Sequence, residues 1–104
     1  MKHRKFSSAI LCGFKKVDGW QHFGDYCPEE DDPRYPGSVC VLGARNLCLT
    51  GSAKNIGNSS DFEADTMAFY KAWGVFPDDL NDGGGAMPGL PWEHIYGMAR
   101  GAGL

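Results

Sequence analysis

Cys40, His94 and the pair Asn81 and Asp82 are the residues of this chain whose types could carry covalent chemistry. A cysteine near the start of a helix gains thiolate character from the helix dipole. A histidine can serve it as general base, and an amide or carboxylate can orient that base, which together make a Cys-His-Asn set of the hydrolase type. The sequence around Cys40, VCVLGA, is apolar and carries no oxyanion-forming signature. The opposing reading is a small core residue in an apolar helix. We therefore assign no catalytic residue, and keep Cys40 and His94 as the candidates if a thiol-dependent hydrolase or transferase is present.

Metal chemistry has two possible sources. Asp78-Asp79-Leu80-Asn81-Asp82-Gly83-Gly84-Gly85 invites a calcium loop, but in any register an oxygen ligand or the closing glutamate is missing. The same stretch lacks the G-K-[ST] ending of a phosphate loop. Its residues suit a turn instead, with Asn81 and Asp82 bonding backbone and the glycines taking positive φ. His3, His22 and His94 with Cys27 have irregular spacing, and no cysteine pair shows the CxxC spacing of a zinc knuckle. No metal and no cofactor is expected.

Charge is more informative by position than by its net value of −3. Residues 1–16 carry Lys2, Arg4, Lys5, Lys15 and Lys16 and no acid, whereas residues 18–32 carry Asp18, Asp25, Glu29, Glu30, Asp31 and Asp32 and no lysine or arginine. The basic cluster is too small for a nucleic-acid footprint. Glu29, Glu30, Asp31 and Asp32 lie in a proline-rich linker and are the expected contact for a protein partner with a basic surface.

These residues need elements to hold them. The central one is GSVCVLGARNLCLT, residues 37–50, the only long small-and-aliphatic run. It predicts a buried helix over Ser38–Leu49, with Ser38 as N-cap and Gly43 admitting a neighbouring helix. Phe6, Ile10 and Phe14 at helical spacing predict a first helix over Lys5–Val17, ended by Asp18-Gly19. Ser60 and Glu63 form a capping box for a third helix, whose stripe is Phe62, Thr66, Phe69, Tyr70 and Trp73, with Gly74 as C-cap. Pro91 suits the first position of a last helix carrying Trp92, Ile95, Tyr96, Ala99 and Ala102. Residues 20–26, 27–37, 52–59 and 75–91 read as loops, the last anchored by Leu80. The expected fold is mainly α, one domain over 1–104, a small bundle of three to four helices with long Gly/Pro-rich loops. The N-terminus has a basic head, but its apolar part is short and no A-x-A-like site follows, so it reads as helix. No run approaches the ~18 apolar residues of a membrane span. The default is then a cytoplasmic protein with four reduced thiols.

Gly19-Trp20, then Cys40, Leu42, Gly43 and Ala44, then Asn81-Asp82 ahead of a last helix, resemble a family of small uncharacterised proteins from bacteria and bacteriophages. Leu80 departs from the tryptophan expected before Asn-Asp. The resemblance implies no activity and points to a phage-borne accessory protein. With no convincing catalytic set, the expected function is a small non-enzymatic binding protein that engages or inhibits a host protein. The alternatives are the thiol-dependent enzyme above and a self-assembling structural or virion component.

Overall fold

The computed structural model describes residues 4–84 and 88–104, and His3 and Gly85 lie outside the described residues. The described residues form five helices: α1 Phe6–Lys16, α2 Val41–Thr50, α3 Ser59–Trp73, α4 Pro77–Asp82 and α5 Trp92–Gly101. This is the mainly helical bundle expected, with one helix more than the upper count.

The core lies between α1 and α2. Phe6, Ala9, Ile10 and Phe14 return to one face of α1 every three or four residues, and all are buried. Phe6, Ile10 and Phe14 share a single apolar cluster with Val41, Ala44 and Leu47 of α2, which Phe69, Ile95 and Ala99 also join. Gly13 is where the two helices approach most closely, because a side chain there would overlap the Ala44 backbone. Phe14 also stacks on Trp92 of α5, with ring centroids 4.4 Å apart.

This close approach overturns the expectation of four free thiols. Cys12 and Cys48 form a disulfide between α1 and α2, and only Cys27 and Cys40 are free. Their Cα atoms are 5.6 Å apart, inside the ~7 Å reach of a bridge. The helix–helix register that creates this distance depends on Gly13 and could not be read from cysteine spacing.

Several boundaries differ from expectation for identifiable reasons. Cys40, not Ser38, caps α2, with its Sγ accepting from Gly43 N at 3.2 Å. Residue 39 cannot join the helix because it is held extended: Val39 N donates to Trp20 O and His22 N to Val39 O, at 3.2 and 2.8 Å. Gly43 makes room for the Tyr26 carbonyl rather than for a helix. Asn58 caps α3 by accepting from Ser60 N and Asp61 N, so the expected capping-box serine is already inside the helix. Along the α3 stripe Thr66 and Phe69 are buried, while Tyr70 and Trp73 are exposed. Residues 77–82, expected to be loop, form α4, begun by Pro77 in its first turn with Asp78 and Asp79 beside it. Pro91 is the N-cap of α5 rather than its first residue. No helix among the described residues is long and apolar enough to cross a membrane.

Candidate functional site

Of the residues singled out for chemistry, Cys40 and Asp82 lie beside Asn81, and His94 does not join them. Asn81, at the end of α4, is fully buried. Its Oδ1 accepts from Gln21 Nε2 at 2.9 Å and from Val41 N at 3.1 Å. Its Nδ2 donates to His22 O and to Asp82 Oδ1, both at 2.9 Å. A carboxamide has two donors and an oxygen with two lone pairs, so the group is saturated. Gln21 extends the network: its Nε2 also donates to Leu90 O, and its Oε1 accepts from Trp92 N at 2.7 Å. Trp92 Nε1 donates to Gly19 O at 3.1 Å.

The network bonds one first-turn N–H at each of two helices. Exposed first-turn N–H groups attract anions or substrates only when nothing else bonds them. At α2, Val41 N is taken by Asn81, and Gly43 N by the Cys40 sulfur. At α5, Trp92 N is taken by Gln21. These bonds tie the starts of α2 and α5 to Asn81 and Gln21.

Cys40 is buried beside this network. Burial, with a smaller push from Asp82, raises its thiol from 9.0 to about 11, against the pull of bonds from Gly43, Leu42 and Tyr26. A nucleophilic cysteine needs the opposite shift. The stability that the neutral thiol contributes is fully present below pH 9.0 and is lost as pH rises through about 11. The gap corresponds to about 3 kcal/mol. Denaturant melts from neutral to alkaline pH should show wild type losing stability more steeply than Cys40→Ala, which has no thiol to ionise. Parallel losses would show that Cys40 ionises as freely in the folded chain as in the unfolded one.

His94, the proposed base, is exposed on α5. Among the described residues no group of three His, Cys, Asp or Glu side chains is placed to hold a metal ion. Asp78 and Asp79 sit in the first turn of α4 rather than in an open loop. Burial pushes the Asp78 carboxyl up, with further pushes from Asp79, Asp82 and Asp25.

The acidic linker divides into two pairs. Asp31 Oδ2 accepts from Gly37 N at 2.8 Å. Asp32 accepts from Arg34 N at 3.0 Å and pairs with the Arg34 guanidinium at 2.9 Å. These two hold their own loop, and the bonds to Arg34 keep the Asp32 carboxyl below the usual range. Glu29 and Glu30 are exposed, and share a cleft with His22 and Asp25. Trp20 and Phe23, on the segment that forms the other side of this cleft, are 70% and 57% exposed.

Sequence reasoning missed two polar residues. Gln21 looked like an ordinary loop residue; its only signal was its position next to Gly19-Trp20. Arg45 is 1% exposed in the middle of α2. It donates to Asp65 at 2.7 Å, Asn46 Oδ1 at 2.8 Å and Ile56 O at 3.0 Å, and its guanidinium lies over the Phe62 ring. The signal was available: Arg45-Asn46 is the only polar pair inside the buried run. Compared with protein-family models, curated proteins and solved structures, the chain matches none.

Proposed function

We propose that the protein is a small non-enzymatic binding protein that engages a protein partner through residues 20–23 and 28–32. The observation that carries this reading is that Trp20 and Phe23 are exposed on either side of His22, which shares a cleft with the exposed Glu29 and Glu30. Solvent-facing aromatic rings are enriched at interface cores, and a rim of carboxylates steers a basic partner. The buried state of Cys40 and the saturation of Asn81 support it, since both residues serve the fold. A bacteriophage accessory role against a host protein belongs to this reading and rests on the motif resemblance alone. The setting we propose with it is the cytoplasm, that of the host if the chain is phage-encoded, where the Cys12–Cys48 bond is open to reduction.

Capture from bacterial lysate should be run with wild type, with Trp20→Ala and with Glu29→Gln/Glu30→Gln. The expected result is a retained protein that both variants lose, with salt weakening wild-type capture. Equal capture by all three chains would remove the assignment. A second reading, self-assembly, is favoured by Met67, Tyr70 and Trp73, which are partly exposed along α3. Sedimentation of wild type against Met67→Glu separates it: a concentration-dependent oligomer that the substitution dissolves would support assembly, and a monomer at all concentrations would dismiss it.

A further inference from the structure

The two classes of cysteine in this chain have opposite surroundings. Cys27 and Cys40 are buried thiols. Cys12 and Cys48 are bonded to each other and only half-buried. Cys12 lines an open cleft with Arg4, Ser8, Leu11, Lys15 and Lys16. Lys15 and Lys16 follow Cys12 by three and four positions, so they share its face of α1. Among the described residues, the cleft is thus walled by three cations and no carboxylate. Beneath it, α1 packs on α2 through Ile10, Gly13 and Phe14, three buried residues that are not part of the disulfide.

We propose that this cleft is a site of thiol–disulfide exchange for anionic low-molecular-weight thiols, and that the bond opens and closes while the protein stays folded. The nucleophile is a thiolate, and its rate of attack follows its local concentration at the sulfur. A cluster of cations raises that concentration for a thiol carrying a second negative group. In the first step the incoming thiolate bonds to Cys12 Sγ, the Cys12–Cys48 bond breaks, and Cys48 leaves with the electron pair and takes a proton from water. In the second step another small thiolate attacks the small-molecule sulfur of the mixed disulfide, and Cys12 is released. Two small thiols become one disulfide, and the protein disulfide becomes two thiols. Attack falls on Cys12 because that cysteine lines the cationic cleft.

The test uses the full oxidised chain in native, low-salt buffer. Reduction is followed by alkylation and mass measurement with mercaptoethanesulfonate, mercaptoethanol and cysteamine, with rates expressed per thiolate. The anionic thiol should react about tenfold faster than the cationic one. High salt should erase the difference, and Lys15→Glu/Lys16→Glu should reverse the order. Both substituted positions are exposed, and circular dichroism confirms that the variant is folded. Mixed disulfide trapped early should map to the Cys12 peptide, and the helical signal should survive full reduction. Equal rates for the three thiols, reduction only under unfolding conditions, or a chain that remains a dithiol in air would each overturn the proposal.

Discussion

Replacing Asn81 with alanine should lower the free energy of unfolding by about 4 kcal/mol, since each buried polar group left without a partner costs about 1–3 kcal/mol. Two groups lose their partner: Val41 N, buried at the start of α2, and His22 O, partly buried in the loop against it. Gln21 keeps its bond to Leu90 O, so it is only partly stranded. Asp82 is exposed and accepts from the Asn81 amide rather than from backbone. Its loss therefore exposes nothing buried, and Asp82→Ala should cost about 1 kcal/mol or less. Asn81→Asp tests the donors separately, because it keeps the shape and one accepting oxygen while removing both N–H groups. Denaturant titrations of the three variants measure the series. A cost below 1 kcal/mol for Asn81→Ala, the level of an ordinary surface change, would show that water replaces the carboxamide and that the network is not what fixes the loop.

The second large effect is expected at Arg45. Removing one member of a buried ion pair costs about 3–5 kcal/mol, because the remaining charge is stranded. The two members are not equivalent here. Arg45 is 1% exposed and Asp65 12%, so the carboxylate can recover some hydration and the guanidinium cannot. Asp65→Ala should thus fall at the upper end of that range. Arg45→Met, which keeps an unbranched side chain in the same space, should cost less. Arg45→Lys should not rescue the site, because one ammonium cannot reproduce the planar fork that meets Asp65, Asn46 and Ile56 together. Thermal melts of the three chains give the order. A milder Asp65→Ala than Arg45→Met would show that the guanidinium finds water or another partner.

The elements legible in the sequence are those whose signal is local. The stripe of Phe6, Ile10 and Phe14 places α1 correctly, since its burial comes from the same periodicity. Gly74 ends α3 where expected, and Gly51 ends α2 in the same way, with both glycines in the left-handed region. The misplaced features are those set by distant partners. The start of α2 is fixed by the bonds between Val39 and residues 20–22, which no local propensity encodes. α4 is six residues long, too short to show a period, and is held by Asn81 rather than by its own helix-forming tendency. The disulfide follows from Gly13, whose missing side chain sets how closely two helices approach. At the candidate site, residue types were readable but their burial was not. Cys40 and Asn81 are residue types that can serve catalysis, but here their polar atoms are taken up by the backbone of Gly43 and of Val41 and His22.

The central claim is that Cys40 belongs to the packing of the fold and that function lies on the exposed loops. Native-state thiol labelling tests it most directly. Full-length protein is pulsed with a small neutral alkylating reagent over a range of pH, and modification of Cys40 is quantified by peptide mass. A buried thiol raised to about 11 should remain unmodified from neutral to moderately alkaline pH and react only at the rate of unfolding, so that denaturant accelerates it. Rapid modification of Cys40 in the folded chain at neutral pH, at a rate that denaturant does not increase, would contradict the claim and restore the thiol as a nucleophile.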